Sequence, residues 1–138
     1  MKFPEWLPVY GDVSFRGVCS TEAHEQESFF RLLRLQYPRL AAAAVHPKNE
    51  TKVMSGAHFN HICKAKKMGQ LKGASDILIM GAPSLVCELK RRDHTKSQWQ
   101  SGQIEFLQAS LSLGAFVCVA LGADAAIEAV KNWEGSRQ

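Results

Sequence analysis

The chain has 138 residues, 46% of them hydrophobic, and a formal net charge of +4. This length supports one hydrophobic core and is short for two, so we predict one globular fold. No apolar run reaches membrane-spanning length, and the N-terminus lacks the pattern of a signal peptide. The four cysteines are far apart and form no CxxC pair. We therefore expect a soluble, cytoplasmic protein with reduced thiols and exclude a disulfide-stapled secreted class.

The N-terminal third begins irregularly and then becomes helical. Residues 1–20 mix prolines, glycines and aromatics without a helical period, which predicts an extension or short strand packed on a domain formed by residues 21–138. Thr21 is a typical N-cap, and Glu22 and Glu25 suit the first turn of the helix that follows. This helix is predicted to end before a proline.

The middle of the chain is basic and rich in turns. The alanine-rich stretch 40–46 fits either a continued helix or a strand, and a short helix is predicted over about 57–67. The basic residues gather here and after residue 89, and such a distribution suits a polyanionic partner. The basic residues that we assign to binding a polyanion such as DNA are Lys48, Lys52, Lys64, Lys66, Lys67, Lys72, Arg91, Arg92 and Lys96.

The second half alternates strands and helices. The apolar runs 76–80 and 85–90 flank a Gly-Ala-Pro connection and predict a hairpin. A long helix over about 96–113, a buried strand over 116–121 and a last helix over 123–133 follow. The long helix is predicted to bury Ile104, Leu107 and Leu111. The element order predicts a mixed α/β fold.

The hairpin brings three ionisable residues together. Side chains two apart on a strand share a face, so Glu88 and Lys90 project together while Leu89 points away. With a three-residue connection, the antiparallel ladder places Asp76 opposite Glu88, where Cβ atoms lie about 4.5 to 5.5 Å apart. Two carboxylates this close need a positive charge between them. A hard divalent cation such as Mg²⁺ is the natural candidate.

This arrangement has a chemical interpretation and a plain structural one. A cation held by Asp76 and Glu88 would activate water against a phosphodiester, and Lys90 would orient that water or stabilise the developing negative charge. By itself, a strand ending in Glu-Leu-Lys is a common solvated surface pattern. The matching position of Asp76 and the basic neighbouring segment favour the chemical interpretation.

Several motifs resemble one nuclease family. Gly73-Ala74-Ser75-Asp76, then Glu88-Leu89-Lys90, then Gln103 in the next helix resemble the VRR-NUC branch of the PD-(D/E)XK nucleases, and the resemblance runs from about Thr21 to Trp133. It implies a restriction-endonuclease-like core, a central mixed β-sheet flanked by helices in αβββαβ order. The chain has Ser75 where the family usually has proline.

The resemblance implies roles for individual residues, with Mg²⁺ or Mn²⁺ as the cofactor. The implied metal ligands are Asp76, Glu88 and the Leu89 carbonyl, with Lys90 as catalytic lysine, Gln103 as supporting residue and Glu22 as helix-borne acid and further candidate ligand. Glu25 competes with Glu22 for the last role. We prefer Glu22 because Gln26 continues its face at helical spacing.

The resemblance also implies a function. Single-domain members are similar to structure-specific endonucleases that cut branched DNA such as four-way junctions, often as homodimers. We therefore expect a metal-dependent DNA endonuclease, similar to a Holliday-junction resolvase. The alternatives are a nickase or other DNA nuclease of phage replication or recombination, and a non-catalytic DNA-binding accessory protein.

Overall fold

The computed structural model describes residues 1–48 and 56–137, and these contain five strands and five helices. The strands are β1 (Val9–Tyr10), β2 (Ala44–Val45), β3 (Ile77–Ile79), β4 (Leu85–Lys90) and β5 (Phe116–Leu121). The helices are α1 (Glu22–Gln36), α2 (Pro38–Ala41), α3 (Gly56–Lys67), α4 (Gln103–Ser112) and α5 (Ala123–Ser136). No helix in the described part of the chain is both long and apolar enough to cross a membrane.

All five strands form one mixed sheet in the order β1-β5-β4-β3-β2. β1 pairs parallel with β5 and β5 parallel with β4, whereas β4–β3 and β3–β2 are antiparallel. The predicted mixed α/β fold is confirmed in this form. The N-terminal twenty residues contribute the edge strand β1, in agreement with the short strand expected there.

A core lies on each face of the sheet, so all six residues of the central strand β4 are buried. One core packs α1 and α5 against the sheet around Phe29, Leu89 and Trp133. The other contains Leu107 of α4 together with Leu7 from the N-terminal segment. The N-terminal segment is therefore part of the core.

The ends of α1 follow from local chemistry. The Thr21 hydroxyl accepts a hydrogen bond from the His24 N–H at 3.2 Å, the N-cap that the sequence predicts. Glu25 has a different partner, since its Oε2 accepts from the Ala123 N–H at 2.6 Å, and α5 has no cap from the glycine that precedes it. The ambiguous stretch after α1 contains the short helix α2 and then β2.

The predicted start of the long second-half helix is wrong. α4 begins at Gln103 instead of near Lys96, and residues before it form a 3₁₀ turn (His94–Lys96) and an irregular stretch. The cause is Gly102, whose φ of +89° ends the irregular stretch in a conformation that glycine favours. At the other end of α4, the predicted burial of Leu111 is also wrong, since that side chain is exposed.

Candidate active site

The hairpin register brings Asp76 level with Glu88. Ile77 pairs with Cys87 and Ile79 with Leu85, and one further step of this ladder reaches Asp76 and Glu88. The register predicted from the sequence is thus confirmed. Leu89 packs in the core beside α1 and α5, so alternation along β4 directs Glu88 and Lys90 to the α4 side.

Glu88, Lys90 and Gln103 form a buried polar cluster. The Lys90 Nζ lies 3.2 Å from Glu88 Oε1 and donates to Gln103 Oε1 at 2.9 Å. Gln103 Nε2 donates to the same Glu88 oxygen at 2.6 Å. Glu88 is 0% and Lys90 1% exposed, so the pair is held out of water by its surroundings. One amide therefore fixes both charged groups relative to each other.

The irregular stretch between the 3₁₀ turn and α4, residues 97–102, covers Lys90. The Lys90 ammonium donates to the Gln98 carbonyl at 3.1 Å and lies 5.3 Å from the centre of the Trp99 ring. Both contacts fix the position of the ammonium, one by a hydrogen bond and the other by cation–π attraction. The stretch that the sequence assigned to a helix thus forms one wall of the site.

Asp76 is held through both its side chain and its main chain. Its Oδ2 accepts from the Leu89 N–H at 3.0 Å. Its carbonyl lies 3.1 Å from the Gln26 Nε2, which donates to it, and 2.7 Å from the His46 Nδ1. Helix α1, the end of β2 and strand β4 therefore all fix this one residue.

The two carboxyl groups share an unfavourable environment. Burial raises the pKa of Glu88 well above its usual value, and the nearby Asp76 charge raises it further, against the opposing effect of Lys90. Burial also raises the pKa of Asp76, partly offset by the hydrogen bond from Leu89. Both groups therefore resist ionisation without an additional positive charge.

The donor set fits a hard divalent cation. Glu88 Oε2 is buried and has no hydrogen-bond partner within the described residues. In a strand the N–H and C=O of one residue point to the same side, so the Leu89 carbonyl also faces the Asp76 side of β4. The described residues contain no group of three or more His, Cys, Asp or Glu placed for a metal. Two carboxylates and a carbonyl suit Mg²⁺, which keeps several waters.

A close backbone crossing brings the loop before Asp76 against α4. A Cβ on Gly73 would lie 2.6 Å from the Gly102 carbonyl oxygen and 2.7 Å from the Gln103 nitrogen. Both glycines have a φ of +89°. This crossing sets the loop that leads to Asp76 beside the residue that holds Glu88 and Lys90.

Glu22 lies at the edge of this site. It is half-buried, and its Oε1 accepts from the Ser97 hydroxyl at 2.7 Å. The same hydroxyl accepts from the Arg91 N–H at 3.1 Å, just after β4 ends. Among the described contacts, Glu22 touches neither Asp76 nor Glu88. Its predicted role as a helix-borne acid stays a prediction, while Glu25 is engaged in capping α5.

The basic residues assigned to DNA binding fall into two groups. The exposed group consists of Lys48, Lys64, Lys66, Lys67 and Lys72, whereas Lys52 lies outside the described residues. The other group contacts the N-terminal segment. Arg91 donates to the carbonyls of Cys19 and Ser20, Lys96 to that of Gly17, and the Arg92 guanidinium lies over Phe15. The DNA contacts of both groups stay a prediction.

Four residues of the site are not among those predicted from the sequence. His46 and Gln26 contact Asp76, and Gln98 and Trp99 contact Lys90. The sequence predicts a helix over Gln98 and Trp99, and Gln98 contacts Lys90 through its main-chain carbonyl, which no side-chain pattern reveals. The one available signal was a polar ring at His46, between an apolar strand and a proline.

The site and the sheet together define a mixed α/β fold with paired carboxylates at one sheet edge. No family model matches the chain, and no curated protein matches it. Among solved structures it is similar to a chain described as a VRR_NUC domain protein, with a TM-score of 0.65 and 22% identity, covering 86% of this chain and 90% of that one. The resemblance seen in the motifs is therefore confirmed at the level of the fold.

Proposed function

We propose that this protein is a metal-dependent endonuclease that hydrolyses DNA phosphodiester bonds at Asp76, Glu88 and Lys90. The proposal depends mainly on one observation. Among the described residues, one buried carboxylate oxygen of Glu88 has no hydrogen-bond partner and lies level with Asp76, and Lys90 is fixed beside it. The fold shared with a VRR_NUC domain protein supports a nuclease, and a PD-(D/E)XK core is part of this proposal.

The residues present can divide the chemistry between them. Asp76, Glu88 and the Leu89 carbonyl would hold Mg²⁺ or Mn²⁺, and the bound cation would lower the pKa of a water and offset charge on the phosphate. The Lys90 ammonium, already fixed by Gln98 and Gln103, is suited to stabilise the negative charge that develops at the phosphate. Because these donors are fixed in advance, little reorganisation is needed during the reaction.

We extend the proposal to branched DNA and to a homodimer. The single-domain members that this chain resembles act on structured DNA, and a two-fold dimer suits symmetric cleavage of a four-way junction. Five exposed lysines, Lys48, Lys64, Lys66, Lys67 and Lys72, supply positive charge for a polyanion.

The test is cleavage of labelled four-way junction, flap, nicked and linear duplex DNA with Mg²⁺, Mn²⁺ or EDTA. We expect metal-dependent cleavage that falls about 100-fold or more in Asp76→Asn and in Lys90→Met. Asp124→Asn, which removes an exposed carboxylate on α5, is the matched control and should cleave normally. Failure to cut any substrate with either metal, or full activity of Asp76→Asn, would reject the proposal.

Substrate preference and assembly need separate measurements. A junction cut faster than a linear duplex of the same sequence supports the branched substrate, and equal rates exclude that preference. Light scattering coupled to gel filtration should give twice the chain mass of 15.3 kDa. A mass of one chain, with cleavage retained, would reject the dimer alone.

A further inference from the structure

We infer that His46 is a positioning residue of the site, which fixes the main chain of Asp76 so that its carboxylate faces Glu88. This inference rests on the proposed function, since it assigns Asp76 to metal binding. It concerns a residue that the strand and metal-ligand patterns of the sequence did not select.

The topology places His46 at the same end of the sheet as Asp76. β2 runs antiparallel to β3, with Val45 paired to Leu78, so the residue after β2 lies beside the residues that precede β3. β4 is antiparallel to β3, and its last residues, Glu88 to Lys90, reach the same edge. Three strand ends therefore meet where Asp76 lies.

The contact itself has a defined direction. The His46 Nδ1 lies 2.7 Å from the Asp76 carbonyl oxygen, and a carbonyl can only accept, so Nδ1 is the nitrogen that carries the proton. Gln26 donates to the same oxygen at 3.1 Å from helix α1. Two donors from separate elements thus hold one peptide group, a stronger restraint than either alone.

The residue that precedes Asp76 adds no restraint of its own, so the contacts to the Asp76 carbonyl matter beside the Leu89 N–H bond to its side chain. The preceding residue is Ser75, a buried serine whose hydroxyl has no partner within the described residues and cannot anchor the backbone by a hydrogen bond. The Asp76 carboxylate lies close to that of Glu88, and its negative charge opposes the ionisation of Glu88. Without the two donors on its carbonyl, only the Leu89 N–H bond is left to hold the carboxylate toward Glu88.

His46 also differs from the rest of the site in exposure. Glu88, Lys90 and Gln103 are buried, whereas His46 is exposed. An exposed side chain contributes little to core packing, so its replacement should leave the fold intact. Loss of metal binding in a folded variant would then report positioning and not general destabilisation.

Two amide substitutions distinguish the roles of the two ring nitrogens of His46. In His46→Asn the side-chain nitrogen occupies about the place of Nδ1, whereas in His46→Gln it reaches about the place of Nε2. His46→Ala removes both donors. Val45→Thr is the matched control, because it alters an adjacent exposed residue that pairs with Leu78 and not with Asp76.

The measurements are the Mn²⁺ dissociation constant by titration calorimetry, the cleavage rate, and the melting temperature of each variant. Loss of an outer contact to a metal-binding residue commonly weakens metal affinity or activity by about 10 to 100-fold. We expect that loss in His46→Ala, substantial recovery in His46→Asn, little recovery in His46→Gln, and unchanged melting temperatures. Val45→Thr should match the wild type in all three measurements.

The outcomes separate this inference from the proposed function. If His46→Ala binds Mn²⁺ as tightly as Val45→Thr does, or if His46→Gln recovers affinity and His46→Asn does not, positioning through Nδ1 is wrong. If the wild type cleaves no DNA, the nuclease proposal fails, but the Mn²⁺ titrations still decide whether His46 positions Asp76. A wild type that binds no Mn²⁺ overturns both.

Discussion

Replacing Glu88 with glutamine should stabilise the metal-free protein while removing its activity. Glu88 is fully buried, and its Oε2 has no donor within the described residues. In Glu88→Gln an amide nitrogen can occupy that position and donate toward the Asp76 carboxylate. The other oxygen keeps its donors, Gln103 and Lys90. A carboxyl–carboxyl conflict is thereby replaced by a hydrogen bond.

The magnitude follows from the opposing contributions. A hydrogen bond to a charged group contributes about 1.5 to 3 kcal/mol. The variant also removes the charge that faces Lys90, but the ammonium keeps the Gln98 and Gln103 oxygens as acceptors. We expect a net gain of about 1 to 2 kcal/mol in the free energy of unfolding at pH 8 in EDTA. Urea denaturation measures it.

The gain should depend on pH with a definite sign. The pKa of Glu88 is raised in the folded protein above the ordinary value of 4.5. Its contribution to stability is therefore fully present below about that value and lost as the pH rises through the folded pKa. Glutamine does not titrate, so the advantage of Glu88→Gln should grow from pH 5 to pH 8.

Two controls complete this prediction. Glu105→Gln removes an exposed carboxylate from the first turn of α4 and should show no comparable gain. Mg²⁺ should stabilise the wild type and not Glu88→Gln, because the variant lacks one of the two carboxylates. A variant less stable than the wild type at pH 8, or a difference that is constant with pH, would refute this account of the buried carboxyls.

Two further substitutions test the surroundings of the site. Ser75→Ala removes a buried hydroxyl that has no partner among the described residues, so we expect the free energy of unfolding in urea to rise by about 1 kcal/mol. A loss of stability would show that the hydroxyl is hydrogen-bonded. A side chain in left-handed backbone costs about 1 to 2 kcal/mol of stability by itself. Gly73→Ala should cost clearly more, because the added Cβ would also clash with Gly102. Gly114→Ala, at a φ of +95° with open space around it, should cost only that backbone amount, and equal losses would disprove the crossing.

The hairpin could be predicted from the sequence because local rules determine it. Alternation assigns Glu88 and Lys90 to one face, and a short connection leaves few registers. The cap at Thr21 likewise sets the start of α1 through a contact three residues away. The N-cap is a contact between residues three apart, and the hairpin register follows from the short connection between its two strands.

The start of α4 could not be predicted in this way. Residues 97–101 contain no glycine or proline, and nothing local excludes a helix. The helix begins later because Gly102 crosses Gly73, about thirty positions earlier, and because Gln98 and Trp99 contact Lys90. These are tertiary contacts that override local preference.

The roles of the basic residues after β4 could not be predicted from their charge either. A cluster of cations indicates a polyanionic partner, but Arg91 donates to two carbonyls of the N-terminal segment, and Lys96 donates to a third. Asp93 joins them, since its Oδ2 accepts from the Gly17 N–H at 3.0 Å. The position of the N-terminal segment decides which basic side chains stabilise the fold and which are left to face a ligand. Composition alone does not reveal that position.

Several features that lower the stability of this fold lie close to the candidate site. In the described part of the chain, the buried Ser75 hydroxyl and one buried Glu88 oxygen have no hydrogen-bond partner. Gly73 and Gly102 adopt left-handed backbone where they cross closely. Alanine at Ser75 and glutamine at Glu88 would remove the first two costs with little change in packing, because glutamine keeps the oxygen that faces Gln103 and Lys90. Proteins keep such unfavourable features mainly where a ligand compensates for them or a reaction needs them. Ser75 directly precedes Asp76, and the glycine crossing joins the loop before Asp76 to Gln103, which holds Glu88 and Lys90. The clustering of these features agrees with the site, and the Glu88→Gln and Ser75→Ala measurements weigh stability against function there.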